Sequence, residues 1–344
     1  MKYGQFAEVS GTNDDLEDLN DFSNLAYYDS KWWFVSGVIT DVDTYTMYVK
    51  SVSTLTGSTT TERTVAWTTG NTAKSTGDMN IEGFSIYIND NDIYASMGIT
   101  YLRDDDTNYY VEASATYTTD GGSGWTDNER YIAFTQTATI ENKAALLRLI
   151  EVDSGIWMHL AVELPVTAKS YAAFVQVDGG GEVSNDDVKG WDYQHQGCIV
   201  SGSYYFVYQD DADDVKLYAF NGTTITAQET LTTVYPVSRN PEVQLYWRQK
   251  TQEFLIDEDH FYYRTVGDTT WSSVSDTGTT TNGIIWGYDR DGNYQIRFII
   301  WKDSIYKVFG GGGIAKIQTY TGNAYVGWDD WFANGADKIY QLDP

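Results

Sequence analysis

Positive charge is scarce in this chain of 344 residues, which has 22 Lys and Arg against 49 Asp and Glu and a formal net charge of −27. Cationic side chains supply most of the affinity of proteins for nucleic acids and for anionic lipid surfaces, so this balance argues against both kinds of partner. No apolar run approaches the roughly 18–20 residues that a membrane span requires. The sequence therefore predicts neither nucleic-acid binding nor membrane insertion.

Cysteine, histidine and proline are also rare. The one cysteine, Cys198, excludes an intramolecular disulfide, and we expect it to be a small buried residue in a strand. The three histidines lie far apart and lack the spacing of a metal-binding motif. Because no apolar segment follows Met1 and Lys2, we expect no signal peptide.

Aromatic residues are abundant, with 28 Tyr and 12 Trp, and 42% of the chain is hydrophobic. Together with many Thr, Asn and Asp residues, this composition is typical of half-buried strands joined by tight polar turns. It is also typical of exported surface proteins. In combination with the expected lack of a signal peptide, it predicts a location on a virus particle or on an extracellular surface.

One short pattern recurs along the chain: apolar residues, a polar tip, then aromatic or β-branched residues. Each copy has the signature of a β-hairpin. Copies occur at 27–34, 86–94, 150–157, 199–205, 254–262 and 300–306, with a weaker seventh at 325–332 or 335–340. The tips, near residues 30, 90, 154, 202, 258, 303 and 337, are about 51 residues apart on average, which is a spacing typical of propeller blades.

The space between tips accommodates two further strands in each repeat, for example 44–52 with 63–68 and 215–220 with 224–227. Four strands per repeat predict an all-β fold, a β-propeller, in which packing around an axis buries the sheet faces. We expect residues 1–344 to form a single domain of seven four-stranded blades, with six as the alternative. Pairing of 6–10 with 338–342 would close the ring.

One turn is more specific than a generic hairpin. Thr118, Asp120, Gly122 and Trp125 match an eight-residue pattern with Ser or Thr, Asp, Gly and Trp at these positions, and Gly124 stands where the pattern has Thr. In such a turn the Asp accepts backbone N–H groups, the Gly adopts a special dihedral and the Trp packs between strands. This segment resembles the Asp-box of sialidase-like (BNR) β-propellers.

The resemblance implies a propeller fold, with the Asp-box on the periphery of a blade. Sialidase activity would further imply three arginines that bind a carboxylate, a Tyr–Glu nucleophile pair and an acid/base Asp. The chain has nine arginines, the first of which is Arg63, and none lies in the arginine motif that the family shows near its N-terminus. The resemblance therefore supports the fold and leaves the catalytic residues unassigned.

Two further kinds of candidate site remain. Asp289, Asp291 and Asn293 alternate in a turn with Gly292, as oxygen ligands of calcium do, but the same residues also make an ordinary hairpin turn. No other cofactor is indicated. Two loops combine aromatic rings with Asp, and we expect them to be the ligand-binding loops, with Trp191, Tyr193, Trp328 and Trp331 as the contact residues.

These observations predict a non-enzymatic recognition or structural module on a virus tail or surface, which binds a host glycan or a neighbouring protein of the particle. The alternative is a carbohydrate-active hydrolase or lyase whose catalytic carboxylates the sequence does not reveal. A pure scaffold and a homo-oligomer also remain open.

Overall fold

The computed structural model describes residues 6–8, 26–53, 58–70, 73, 75–102, 109–134, 145–153, 155–164, 169–189, 197–210, 214–231, 245–249, 251–256, 260–275, 297–301, 304–308, 314–321, 324–326, 329–332 and 339–341. Most of these residues lie in β-strands, and a short 3-10 turn spans Thr76–Asp78. Within these ranges, no helix has the length and apolar character needed to cross a bilayer. The all-β prediction is confirmed.

The strands form antiparallel meanders that follow one another along the chain. Sheet A contains β2 (Ala26–Tyr28), β3 (Lys31–Asp41), β4 (Thr44–Val52) and β5 (Thr60–Thr68). Sheet B contains β6 (Met79–Asn89), β7 (Asp92–Leu102), β8 (Tyr109–Thr118) and β9 (Thr126–Phe134). Sheet C contains β10 (Ala145–Val152), β11 (Gly155–Leu164), β12 (Lys169–Gln176) and β13 (Glu182–Lys189).

The second half of the chain repeats this plan. Sheet D contains β14 (Cys198–Val200), β15 (Ser203–Asp210), β16 (Val215–Phe220) and β17 (Ile225–Thr230). Sheet E contains β18 (Leu245–Gln249), β19 (Gln252–Ile256), β20 (His260–Thr265) and β21 (Ser272–Ser275). Sheet F contains β22 (Arg297–Trp301), β23 (Ser304–Val308) and β24 (Ile314–Thr321), and both β25 (Ala324–Val326) and β26 (Asp329–Phe332) pair with β24.

The first hairpins of sheets A to D turn through residues with a left-handed backbone. Short polar residues and glycine adopt this conformation at the lowest cost, which is why such residues occupy the tips. The φ angles are 48° at Asp29, 63° at Ser30, 52° at Asp90, 48° at Asp153, 51° at Ser201 and 83° at Gly202. These four hairpins are the ones that the sequence repeat predicts near residues 30, 90, 154 and 202.

A separate apolar layer lies between each pair of consecutive sheets from A to E. Each layer draws buried residues from both of its sheets: Met47 and Met97 between A and B, Ala113 and Met158 between B and C, Phe174 and Phe206 between C and D, and Leu217 and Leu255 between D and E. A succession of four-stranded meanders packed face to face is the architecture of a β-propeller, as the sequence predicts.

The approach of sheets A and B is close enough to require a glycine. A Cβ added to Gly37 of β3 would lie 2.7 Å from the Met97 sulfur and 3.0 Å from Cε1 of Phe84, both in sheet B. It would also lie 2.8 Å from the carbonyl oxygen of Thr46. Distances of this size leave no room for a side chain at position 37.

Sheets C and D are joined through the backbone. The end of β13 pairs on both of its sides: Val188 lies opposite Ser170 of β12 and opposite Asp210 of β15, and Lys189 lies opposite Gln209 of β15. Val188 and Lys189 pair with β15 beyond the end of the short strand β14, which also pairs with β15. The two meanders therefore form one continuous eight-stranded sheet. The first strands of sheets B and C are also neighbours, because the Leu149 amide donates to the hydroxyl of Ser85 at 3.0 Å.

The two ends of the chain lie side by side. β1 (Phe6–Glu8) pairs with β27 (Ile339–Gln341), within the ranges that the sequence analysis gives for ring closure. The described strands form six sheets with the four-stranded plan. Of the two candidates for the seventh hairpin, 325–332 does not form one, because β25 and β26 both pair with β24, and most of 335–340 lies outside the described residues. The number of blades and the closure of one ring over 1–344 stay predictions.

The repeat at 254–262 forms a hairpin, as predicted, but this hairpin has a different place in its sheet from the earlier copies. β19 pairs with β20, but these are the second and third strands of sheet E, whereas the repeats in sheets A to D join the first and second strands. The reason is that Lys250 and Thr251, between β18 and β19, are not residues that favour tight turns, whereas Asp257 and Asp259 after β19 are, so the sequence signals the second turn and not the first.

Candidate functional site: a row of tyrosines between sheets B and C

Three tyrosines line up across sheet B and form what we call the tyrosine row: Tyr87 on β6 lies opposite Tyr94 on β7, which lies opposite Tyr117 on β8. The ring centroids of Tyr94 and Tyr117 are 5.6 Å apart and nearly parallel, and those of Tyr87 and Tyr94 are 6.4 Å apart. Tyr94 is buried, whereas Tyr87 and Tyr117 are half-buried. The row therefore consists of one buried ring, that of Tyr94, with a half-buried ring on each side of it.

The β6–β7 hairpin sets the register of the row. Its tight turn brings Asn89 opposite Asp92, and alternation along the strands then places Tyr87 and Tyr94 opposite each other on the face toward sheet C. Tyr87 and Tyr117 pack against the apolar layer that includes Leu149 and Met158 of sheet C. Packing on this layer holds the aromatic rings at the seam between sheets B and C.

A carboxylate of the neighbouring sheet is attached directly to the row. The Tyr87 hydroxyl donates to Glu151 Oε2 on β10, at 2.5 Å. Both side chains are half-buried, so this hydrogen bond between sheets lies where water and a ligand have access. An ionised carboxylate has about four acceptor positions. The bond from Tyr87 uses one, and Glu151 retains capacity for hydroxyl or amine donors of a ligand.

Asp178 is placed beside the row by a well-anchored turn between β12 and β13. The Val177 amide donates to the Ile156 carbonyl at 2.8 Å, and the Gln176 amide donates to the Gly181 carbonyl at 2.8 Å. From sheet B, the side-chain amide of Asn128 donates to the Val177 carbonyl. The exposed Asp178 carboxylate therefore projects from a backbone that is held by both sheets.

The electrostatic environment of the row is negative. Burial, followed by the charges of Asp92, Asp178 and Glu151, raises the pKa of the Tyr94 hydroxyl. The Tyr94 hydroxyl therefore keeps its proton at physiological pH. The arrangement can stack a flat apolar surface on a ring while carboxylates accept hydrogen bonds from its polar edge.

The Tyr–Glu pair that the resemblance implies for an active sialidase can be compared with three pairs among the described residues. Two of them are buried inside sheets: Tyr101 donates to Glu112 at 2.6 Å, and Tyr246 donates to Glu253 at 3.0 Å. Of the three, Tyr87–Glu151 is the one with both side chains partly open to solvent. It is consequently the pair, among these three, that solvent reaches.

The turn that matches the Asp-box is tightly organised around Asp120. Its Oδ1 accepts hydrogen bonds from the amides of Ser123 and Gly124, each at 2.9 Å, and from the Thr118 hydroxyl at 2.5 Å. Gly122 has φ of 106°, a conformation that favours glycine. A Cβ at Gly124 would lie 3.0 Å from Asp120 Oδ2. The hydrogen bonds fix the chain immediately after Tyr117.

Trp125 belongs to the seam between sheets A and B. Its Nε1 donates to the Gly122 carbonyl at 2.9 Å, and the ring packs on the apolar layer between these sheets. The same turn contacts sheet B through the Gly121 amide, which donates to the Asn91 carbonyl at 2.9 Å. Asn91 in turn accepts a hydrogen bond from the Tyr28 hydroxyl of sheet A at 2.8 Å. These contacts indicate a structural role for the turn; that it makes the chain a member of the sialidase-like family stays a prediction.

The other predicted site residues are not brought together by the described structure. Trp191, Tyr193, Asp289, Asp291, Asn293 and Trp328 lie outside the described residues, and Trp331 lies in β26. Within the described ranges no group of three or more His, Cys, Asp or Glu side chains is arranged to hold a metal ion. The calcium site and the two aromatic loops stay predictions.

Two described arginines are engaged in ion pairs between sheets. Arg63 contacts Asp127 at 2.7 Å and joins sheets A and B, and Arg264 contacts Glu229 at 2.6 Å and joins sheets D and E. Both arginines therefore have structural partners between neighbouring sheets.

Comparisons with known proteins show similarity only at the level of fold. No protein-family model and no curated protein sequence matches the chain. Among solved structures, a Trypanosoma rangeli sialidase in complex with 2,3-difluoro-KDN aligns over 94% of this chain and 57% of its own, with 10% identity and a TM-score of 0.44. The chain thus spans little more than half the length of that sialidase.

Two further solved structures align over most of the chain. The SapL1 lectin in complex with alpha methyl fucoside aligns over 96% of this chain and 99% of its own, with 10% identity and a TM-score of 0.41. The phage phi92 endosialidase aligns over 96% of this chain and 54% of its own, with 10% identity and a TM-score of 0.39.

The tyrosine row was not among the sites predicted from the sequence, although a signal for part of it is present. Tyr87 and Tyr94 lie at equal distances from the Asp90-Asn91 tip, so a two-residue hairpin places them opposite each other. The third ring and the carboxylates carry no such signal, because Tyr117 and Glu151 reach the row through the packing of other strands.

Proposed function

We propose that this chain is a non-catalytic carbohydrate-recognition module, a β-propeller carried on the tail or surface of a virus particle, where it binds a host glycan. The observation that carries the proposal is the tyrosine row with Glu151 attached to it. Sugars present an apolar face that stacks on aromatic rings and a rim of hydroxyls that donate to carboxylates. Tyr117 and Tyr87 supply the first kind of contact, and Glu151 and Asp178 supply the second.

A glycan array probed with the purified chain tests this proposal. We expect binding to a restricted set of glycans and a loss of at least about tenfold in affinity, roughly 1.4 kcal/mol, in Tyr117→Ala. Tyr27→Ala is the matched control, because Tyr27 is 58% exposed and lies in sheet A. Unchanged binding in Tyr117→Ala, or binding to no glycan at all, would contradict the proposal.

The location on a virus particle is supported by the acidic, Thr- and Tyr-rich composition of the chain. The neighbours of its gene test this part separately. Adjacent genes for tail fibres, baseplate or portal proteins are expected, and a neighbourhood of housekeeping genes would count against a particle component.

A second candidate function is glycoside hydrolysis, which the contact between the Tyr87 hydroxyl and Glu151 favours. The carboxylate would accept the phenol proton while the phenol oxygen attacks the anomeric carbon, the glycosidic C–O bond would break with the leaving oxygen taking a proton from water, and a second water molecule would then release the sugar. Release of reducing sugars from a bound glycan by the wild type, and its loss in Glu151→Gln with binding retained, would establish turnover. Binding without release would leave the recognition function.

A further inference from the structure

Three carboxylates lie beside the tyrosine row. Asp92 lies two residues before Tyr94 on the same face of β7, Glu151 accepts the hydroxyl of Tyr87, and Asp178 follows Val177, which packs in the same apolar layer as Tyr94. All three act on the central ring, Tyr94, as negative charges. The exposed residue Asp90 lies at the tip of the hairpin that carries Tyr87 and adds a further negative charge to that hairpin.

This arrangement has opposite consequences for ligands of opposite charge. Carboxylates along the boundary between sheets B and C raise the local concentration of cations and repel anions. The net charge of −27 of the whole protein acts in the same direction. An ammonium group that meets Glu151 or Asp178 forms a charge-assisted hydrogen bond, which is shorter and stronger than a bond between neutral groups. A carboxylate in the same place meets like charge, which is an effective means of rejecting a ligand.

We propose that the tyrosine row selects oligosaccharides with unsubstituted amino groups, such as glucosamine oligomers, and rejects acidic sugars, including sialic acids. This inference rests on the proposed carbohydrate-binding function and adds the charge class of the ligand. The aromatic rings hold the sugar faces, and Glu151 and Asp178 accept the ammonium groups.

Calorimetric titration with three oligomers of similar length tests the selection in mildly acidic buffer, in which sugar amines carry a proton. The probes are a glucosamine pentamer, an N-acetylglucosamine pentamer, which has the same backbone without the charge, and an oligogalacturonate. We expect the glucosamine pentamer to bind at least about tenfold more tightly than its acetylated counterpart, and no binding of the oligogalacturonate. Raising the salt concentration is expected to reduce this preference, because screening weakens interactions between partly exposed charges.

Two variants locate the effect. Glu151→Gln and Asp178→Asn are each expected to weaken binding of the glucosamine pentamer several-fold more than binding of the acetylated pentamer, because the amide oxygen still accepts a hydroxyl but no longer pairs with an ammonium group. Asp29→Asn is the matched control, because it removes the same charge at an exposed tip of sheet A and is expected to keep the preference.

The outcomes separate the two proposals. Equal affinity for both pentamers that is lost in Tyr117→Ala would overturn the charge selection and leave carbohydrate binding in place. Tighter binding of the oligogalacturonate would also overturn it. Binding of none of the three, together with an empty glycan array, would contradict carbohydrate recognition itself.

Discussion

Arg264 on β20 donates to both carboxylate oxygens of Glu229 on β17, at 2.8 and 2.6 Å, and so joins sheet E to sheet D. Its Nε also donates to Glu253 at 2.7 Å, and its guanidinium lies 4.2 Å from the centre of the Trp271 ring. Burial lowers the pKa of Arg264, but the hydrogen bonds to Glu229 and Glu253 outweigh this effect and raise it. The guanidinium is thus a fixed positive charge between two sheets.

Removing one partner of this pair is expected to destabilise the protein. Glu229→Ala leaves the largely buried guanidinium with one carboxylate instead of two, and we expect a loss of about 2 kcal/mol in the free energy of unfolding. Lys31→Ala is the control, because the Lys31–Glu62 pair is more exposed and is expected to contribute less than about 1 kcal/mol. Urea denaturation of both variants measures the difference, and equal losses would refute the structural role of Arg264.

The turn around Asp120 is expected to make stability depend on acid. Hydrogen bonds from Ser123, Thr118 and the Gly124 amide hold the pKa of Asp120 well below its ordinary value. The unfolded chain takes up this proton near about pH 3.9, whereas the folded chain does so at lower pH. The stabilisation is therefore complete above about pH 4 and is lost as the pH falls below that value.

Thermal unfolding of the wild type and of Asp120→Ala measures this dependence. The difference between their melting temperatures is expected to be largest at neutral pH and to shrink as the pH falls below about 4. Thr118→Val removes one of the donors, so the folded-state pKa of Asp120 lies closer to that of the unfolded chain, and the acid-dependent part of the stability is expected to be smaller than in the wild type. A difference that stays constant down to the lowest pH would show that Asp120 does not contribute in its ionised form.

Gly37 is expected to be intolerant of any side chain. Gly37→Ala places a methyl group within 3 Å of Met97 and of the Thr46 carbonyl, and we expect a loss of about 1–3 kcal/mol from overpacking between sheets A and B. Gly77→Ala is the control, because the atom nearest to its added Cβ is the Ser75 hydroxyl at 3.6 Å. Chemical denaturation compares the two, and a stable Gly37→Ala variant would mean that the sheets separate easily.

Cys198 is expected to be unreactive in the folded protein. Burial raises the pKa of its thiol to about 12, so the thiolate that attacks disulfide reagents is almost absent. At about pH 8 we expect modification to be at least about 100-fold slower in buffer than in denaturing urea. Rapid labelling of the native chain would show that this part of sheet D opens readily.

Many of the strands and turns of this fold can be predicted from the local sequence. The bounds of β4 and β16 agree with the strands expected at 44–52 and 215–220, because alternating apolar residues end at clear polar turns. The hairpins at Asp29, Asp90 and Asp153 could be predicted for the same reason. The place of the 254–262 hairpin within sheet E could not, since Lys250 and Thr251 before β19 carry no turn signal.

The candidate site depends on contacts that no local pattern encodes. Tyr117 lies opposite Tyr94 because of the register between β7 and β8, which comprises ten residue pairs. Glu151 reaches Tyr87 only because sheet C packs on sheet B. By contrast, the prediction of two ligand-binding aromatic loops rests on composition. Composition does not distinguish an aromatic ring that packs inside the protein from one that binds a ligand.

The pairing of β13 with β15 affects whether fragments of the chain stay associated after cleavage. Other neighbouring sheets among A to E meet through side chains, whereas C and D also exchange backbone hydrogen bonds at Val188 and Lys189. A proteolytic nick between β13 and β14 would therefore leave the two fragments held by a strand pairing as well as by the Phe174–Phe206 layer. Complementation of separately produced halves has its most favourable division there, since each half would carry one side of a ready-made β-ladder.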